Sequence, residues 1–217
     1  MSKIGELLNK IRSAPTKEYD KVIKEVMEEV MRDEFRDVLK EECFSEIVEL
    51  ILEIPEQHFE EFINKYGDVL ESKFREAEPA DIGRLYEGLP KPKRKIISMN
   101  FRPVISRRLA SFSLGDIVRM LYNVIPAARE TVLNQYKEVM MRPDFSQKIL
   151  DTPIEILGEF LSLAPESIRR AIIKRHKDTF TSQEFIQKLK SVDAEERAKL
   201  LRWLPPDLSR EIISKMS

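Results

Sequence analysis

Residues 154–165 read Ile-Glu-Ile-Leu-Gly-Glu-Phe-Leu-Ser-Leu-Ala-Pro. Ile154, Leu157 and Leu161 are spaced by three and four residues, which is the pattern of an amphipathic helix. A proline ends such a helix because the residue before it avoids the α region, and proline is also tolerated in the first turn of a following helix. The stretch therefore predicts a short helix, a turn at Pro165 and a second helix.

The same pattern recurs along the whole chain. A related stretch occupies residues 4–15, and six prolines lie 40, 35, 36, 39 and 40 residues apart, each after a small or aliphatic residue. These prolines are Pro15, Pro55, Pro90, Pro126, Pro165 and Pro205. An adjacent apolar pair follows each of them: Val22-Ile23, Phe62-Ile63, Ile96-Ile97, Val132-Leu133, Ile172-Ile173 and Ile212-Ile213. A further apolar anchor follows the first five pairs: Phe35, Phe74, Leu109, Phe145 and Phe185.

Each recurrence predicts a helix, a proline turn, a second helix that carries the apolar pair, and a connecting helical stretch. One such element cannot bury its apolar face alone, so stacked copies build a continuous core. The sequence therefore predicts a single all-α domain, a tandem helical-repeat superhelix of the HEAT or armadillo kind, over residues 1–217. Its six repeats span about 1–43, 44–78, 79–112, 113–151, 152–190 and 191–217. The alternative is a helical bundle without repeats, with the prolines in its loops.

Two repeats resemble a known family. Residues 200–213 read Leu-Leu-Arg-Trp-Leu-Pro-Pro-Asp-Leu-Ser-Arg-Glu-Ile-Ile, and the third repeat contains Pro79-Ala80-Asp81-Ile82 before Leu89-Pro90. These segments are similar to the helical repeats in the cytosolic N-terminal domain of MgtE-type magnesium transporters, and to units of the flagellar motor switch protein FliG. The resemblance implies a right-handed superhelical stack that acts by docking or regulation. It implies no magnesium transport, and no metal ligand of the family can be placed on this chain.

The composition indicates which cellular compartment and which kinds of association are expected for the protein. The chain has 217 residues, of which 42% are hydrophobic and 35% charged, with one cysteine. A single cysteine excludes an intramolecular disulfide, which favours a reducing compartment such as the cytoplasm. No apolar stretch is long enough to span a membrane, and the high charge resembles thermophile composition. Residues 1–78 carry 12 basic and 21 acidic side chains, whereas residues 79–217 carry 25 and 17, so net charges of −9 and +8 would allow head-to-tail self-association.

The residue types that usually carry chemistry form no recognisable centre. His58 and His176 lie in different repeats, outside any His or Cys pair with zinc spacing. His58 is expected to be a surface or packing residue, and His176 to lie at a solvated basic helix end. Cys43 is expected to be a small buried side chain. Gly83 and Gly88 lack the Lys-Ser/Thr of a phosphate-binding loop. The sequence therefore predicts no enzyme, no cofactor and no metal site.

One set of cations recurs at matched repeat positions. Residues two or three places before each apolar pair should lie on the opposite side of the helix and be exposed. In the last four repeats they place cations in one row, which we call the predicted basic row: Lys93, Arg94, Arg129, Arg169, Arg170 and Arg210. The row is either an ordinary solvated face or a surface that binds a partner. The preferred partner is another protein, held by a non-catalytic scaffold or regulatory docking protein, and the alternative is a nucleic-acid backbone.

Overall fold

The computed structural model describes residues 2–216, and over these residues the chain forms 16 helices and no strand. The all-α prediction is therefore confirmed. Contacts within the chain divide it into two compact units, Met1–Arg108 and Leu109–Ser217, which we call the N-terminal and C-terminal units. The prediction of one continuous domain stays a prediction, and each unit is described by itself.

The N-terminal unit contains helices of two lengths. Five are short, and two have 21 residues because the predicted second helix and the connecting stretch have fused. The helices are α1 (Lys3–Arg12), α2 (Tyr19–Val30), α3 (Phe35–Glu41), α4 (Phe44–Glu53), α5 (Glu56–Glu76), α6 (Pro79–Gly88) and α7 (Lys91–Ser111), of which the last three residues belong to the C-terminal unit.

The C-terminal unit repeats the order of helix, turn and helix, with the connecting stretches mostly separate. Its helices are α8 (Leu114–Tyr122), α9 (Pro126–Met140), α10 (Phe145–Asp151), α11 (Ile154–Leu163), α12 (Glu166–Arg175), α13 (Lys177–Phe180), α14 (Gln183–Ser191), α15 (Ala194–Leu201) and α16 (Pro206–Met216).

The prolines lie where the sequence places the turns. Pro55 and Pro165 are the N-cap residues of α5 and α12, and Pro126 is the first residue of α9. At these positions the missing proline N–H costs no helical hydrogen bond. Pro103 differs because it lies inside α7, where it cannot donate to the carbonyl of Met99 four residues earlier.

Both residues of the predicted apolar pair are buried in the second, fourth and fifth repeats. Val22 and Ile23 are only half-buried, and Ile213 is exposed. In the third repeat Ile97 is buried but Ile96 is only half-buried, so the predicted pair lies one position too early there.

Aromatic rings form the densest part of the N-terminal core. The Phe74 side chain has no exposed surface, and its ring centroid lies 4.9 Å from that of Phe44 and 5.0 Å from that of Phe101. The three rings come from α4, α5 and α7. They therefore hold these three helices together at one point.

Basic side chains close the ends of the connecting helices. The ammonium group of Lys73 donates to the carbonyls of Lys40 and Glu42 at 2.7 and 2.6 Å, at the end of α3. Arg108 donates from Nε to the carbonyl of Ala77, just after α5, at 2.7 Å. A cation at a helix C-terminus satisfies carbonyls that have no intrahelical partner and opposes the negative end of the helix dipole.

Two lysines of the C-terminal unit make the same kind of capping contact. Lys148 donates to the carbonyls of Ala110 and Phe112 at 2.8 and 2.7 Å. Forty residues later, Lys188 donates to the carbonyls of Leu150 and Thr152. Burial lowers the pKa of both lysines, because it disfavours the charged form.

We expect Lys148→Met to lower the free energy of unfolding by about 1–3 kcal/mol, because two carbonyls in a partly buried position lose their donor. Lys174→Met is the matched control, since Lys174 is exposed on α12 and its loss should change stability by less than about 0.5 kcal/mol. Urea denaturation measures both. Equal stability of the two variants would contradict the capping role of Lys148.

A second capping position lies on the helices that carry the apolar pairs. The hydroxyl of Tyr66 lies 2.7 Å from the carbonyl of Val30, at the end of α2. In the C-terminal unit His176 takes the corresponding place, with Nε2 at 2.7 Å from the carbonyl of Met140. Both side chains are buried, so each accounts for a polar group inside the core.

Candidate docking surface

The predicted basic row does not form as one exposed strip. Lys93 and Arg94 are buried, with 6% and 9% of their surface exposed, so the expectation that they face solvent is wrong. The Lys93 ammonium group donates to the carbonyl of Ile54 and lies 5.0 Å from the ring centroid of Phe59. Arg94 is directed towards the carbonyl of Tyr86.

Arg129 and Arg169 are half-buried because each caps the C-terminus of the helix that precedes the proline turn of its repeat. Arg129 donates from Nε to the carbonyls of Leu121 and Val124 at 3.1 and 2.9 Å. Arg169 donates from Nη1 to the carbonyl of Leu161 at 3.1 Å. Both guanidinium groups are therefore engaged by the backbone.

The contact of Lys93 follows from this capping role. Phe59 occupies, in the second repeat, the position that Arg129 and Arg169 hold in theirs, and it cannot donate a hydrogen bond. The carbonyl of Ile54 therefore lacks a partner from its own repeat. Lys93 reaches it from the next repeat.

Two members of the row remain exposed. Arg170 forms an ion pair with Glu166, and Arg210 forms one with Asp207 at 2.6 Å. Both pairs are exposed and lie within one helix, so they contribute little to stability. Binding of a partner by these two arginines stays a prediction.

His176 and Cys43 also lie in other environments than expected. His176 is 3% exposed, although it was expected on a solvated basic helix end. Its Nδ1 lies 2.9 Å from Oγ of Ser146, which in turn accepts from Thr179 at 2.9 Å. This serine–histidine contact belongs to the capping arrangement, because Nε2 faces a backbone carbonyl. Cys43 is exposed rather than buried.

The other single residues fit packing roles. His58 is half-buried on α5. Trp203 is half-buried, and the guanidinium carbon of Arg169 lies 4.7 Å from its ring centroid. Gly83 and Gly88 lie within α6. Over residues 2–216, no three His, Cys, Asp or Glu side chains are grouped so as to hold a metal ion.

A basic surface lies on α7. This helix has seven basic residues and no acidic residue in its 21 positions. Lys91, Lys95 and Arg102 are exposed and lie on one side of the helix, since they are spaced by four and seven residues. Within the described chain, the Lys91 and Lys95 side chains make no ion pair. We call these three residues, together with Met99, the α7 face.

Met99 gives the α7 face an apolar centre. Its side chain is 72% exposed, more than that of any other large hydrophobic residue in the described chain. Its carbonyl has no helical donor, since Pro103 carries no N–H. An exposed apolar side chain among cations is typical of a surface that binds another molecule.

Fold and surface together define an all-helical protein with a basic, apolar-centred helix face. No family model, no curated protein and no solved structure matches the chain. No helix within residues 2–216 is long and apolar enough to cross a membrane.

Proposed function

We propose that the protein is a non-catalytic interaction scaffold that holds an acidic segment of a partner protein on the α7 face. The single observation that carries this proposal is the exposed face of Lys91, Lys95, Arg102 and Met99 on a helix without any acidic residue. Carboxylates of the partner would contact the cations, and an apolar side chain would cover Met99.

We further propose that the helices form a tandem-repeat superhelix in the cytoplasm. The recurring caps support the repeat, because Lys148 and Lys188 contact carbonyls 40 residues apart in the same way. The resemblance to the MgtE-type N-terminal domain and to FliG points to the same architecture. Stacked repeats present long surfaces on which partners dock.

A nucleic-acid backbone is the second candidate for the α7 face, because its three cations, on a helix without a carboxylate, also suit phosphates. Met99 favours the protein partner. A large exposed apolar side chain at the centre of the face gains nothing from phosphate groups, whereas protein interfaces are enriched in methionine.

The test compares two defined probes: an acidic peptide that contains leucine, and a short duplex DNA. We expect Lys91→Glu with Lys95→Glu to weaken peptide binding at least about tenfold, equivalent to 1.4 kcal/mol, because both contacts become repulsive. The matched control is Lys174→Glu with Lys190→Glu, which reverses two exposed cations on other helices. Isothermal titration calorimetry measures the affinities.

Met99→Ser separates the two candidates. It should weaken peptide binding and leave DNA binding unchanged. Tight DNA binding whose log affinity falls linearly and steeply with log salt, without dependence on Met99, would favour the nucleic-acid candidate. Absence of peptide binding by the wild-type protein, or equal losses in the α7 and control variants, would contradict the proposed function.

A further inference from the structure

The C-terminal unit contains a groove that the α7 face does not include. It is formed by the connection between α7 and α8, by α10, and by the start of α11, and its volume is about 750 Å³. That volume lies within the usual range for clefts that bind small molecules or side chains. We call it the α8–α10 groove.

Small side chains open the groove at this particular connection. Ala110, Ser113 and Gly115 line it, whereas the equivalent positions 40 residues later hold Leu150, Pro153 and Glu155. The equivalence rests on the capping contacts described above, in which Lys148 contacts the carbonyl of Ala110 as Lys188 contacts that of Leu150.

The backbone at Gly115 leaves room for a methyl group without a clash. A Cβ atom placed there would lie 3.6 Å from Oγ of Ser113 and 3.9 Å from Cγ2 of Ile156, both ordinary van der Waals distances. Larger side chains at these positions would therefore project into the groove.

The floor of the groove is apolar and its rim is acidic. Phe112 and Leu114 form the buried floor, and Ile156 is half-exposed beside them. Asp144 and Asp151 stand exposed at the rim.

The cation among the lining residues does not neutralise this rim by a direct contact. The ammonium group of Lys148 donates to the carbonyls of Ala110 and Phe112, and its distance to the Tyr136 hydroxyl oxygen is 3.3 Å. Asp151 accepts a hydrogen bond from the amide of Gln147 at 2.8 Å. Among the described residues, neither Asp144 nor Asp151 forms a direct ion pair, although Lys148 and Lys188 interact with them electrostatically.

We propose that the α8–α10 groove binds a segment of a partner protein in which a lysine or arginine flanks an aliphatic side chain. The aliphatic side chain fills the space left by Ala110 and Gly115 and packs on the apolar floor. The flanking cation reaches Asp144 and Asp151, where carboxylates attract a positive group and repel phosphates or acidic peptides. The segment is thus opposite in charge to the one proposed for the α7 face, and the protein would join two different partners.

The test uses two peptide probes of equal length and the full chain. In one peptide leucines alternate with lysines, and in the other with glutamates. We expect the lysine peptide to bind and the glutamate peptide not to bind the groove. Ala110→Leu, which copies the residue at position 150, should fill the space and weaken lysine-peptide binding at least tenfold. Fluorescence anisotropy of labelled peptides measures the affinities.

A second variant covers the case in which Ala110→Leu disturbs folding. Asp144→Asn with Asp151→Asn changes only exposed rim groups and should also weaken lysine-peptide binding at least tenfold. Asp178→Asn with Glu184→Gln is the matched control, since both residues are exposed on other helices of the same unit, and it should bind normally. Binding that survives the rim variant, or that falls equally in the control, would overturn the proposal.

The α7 variants distinguish failure of this site from failure of the proposed function. Lys91→Glu with Lys95→Glu should leave lysine-peptide binding unchanged. If the lysine peptide does not bind while the acidic peptide still binds in an α7-dependent way, the groove proposal is wrong and the proposed function stands. If the lysine peptide binds the groove and the acidic peptide does not bind, the opposite holds.

Discussion

We expect Phe74→Ala to lower the free energy of unfolding by about 3–5 kcal/mol, the usual cost of removing a fully buried phenylalanine. Phe74 has no exposed surface and packs on Phe44 and Phe101, so three helices lose contacts at once. Native domains are stable by only about 5–15 kcal/mol, so the loss is a large share of the total.

Denaturant midpoints at constant slope measure this change. Phe74→Leu is the control, because it keeps most of the apolar volume, loses the ring contacts and should cost clearly less. An alanine variant as stable as the leucine variant would mean that the neighbouring rings close the cavity. The aromatic cluster would then not hold the three helices together.

The helices and turns were predictable from the sequence because their signals are local. Apolar spacing of three and four residues and the recurring prolines are properties of short segments. The turns at Pro55, Pro126 and Pro165 accordingly lie where the pattern placed them. The shift in the third repeat arose because Ile96 and Ile97 are both apolar, and adjacent residues give no sign of which one faces the core.

The apolar anchor of the connecting stretch was predicted one helical turn too late where that stretch is fused to the preceding helix. Lys73, Lys148 and Lys188 occupy the same capping position, and the buried residue after each is Phe74, Ile149 or Leu189. These three residues are therefore equivalent. Counting residues from the proline matched Phe74 with Phe145 instead, because a residue count does not show that α5 continues without a break.

The burial of the basic row was not predictable from spacing alone. A basic residue on an amphipathic helix is ordinarily predicted to be exposed to solvent. Only tertiary packing brings backbone carbonyls within its reach. Lys93 illustrates the point, because its partner, the carbonyl of Ile54, lies 39 residues away. His176 likewise depends on the carbonyl of Met140, which is 36 residues earlier.

Only part of the α7 face could be predicted from the sequence. The seven cations of α7, without an acidic residue among them, can be read directly. The exposure of Met99 could not be read, since a methionine within a helix ordinarily predicts a core position. The groove also depended on the structure, because small residues such as Ala110 and Gly115 carry no signal of their own.

Alkaline pH should destabilise the protein through its buried tyrosines. Burial raises the pKa of Tyr86 to about 12, and that of Tyr66 to about 12. Below the ordinary tyrosine pKa of about 10 both folded and unfolded states hold the proton, so stability is unaffected. Between pH about 10 and 12 the unfolded state loses the proton while the folded state keeps it, so unfolding becomes more favourable.

Each such tyrosine should cost about 2–3 kcal/mol by pH 12, at 1.36 kcal/mol for each unit of pKa difference. Lys93 and Lys148 act in the opposite direction at lower pH, because burial lowers the pKa of each and stability then rises as pH approaches the ordinary lysine value.

A comparison with Tyr86→Phe isolates the tyrosine contribution. This variant loses only the 3.3 Å contact between the Tyr86 hydroxyl and Oγ of Ser98. Urea denaturation at several pH values should give a shallower fall in stability above pH about 10 for Tyr86→Phe than for the wild-type protein. Parallel curves would mean that Tyr86 ionises as readily in the folded chain as in the unfolded one, in conflict with its complete burial between α6 and α7.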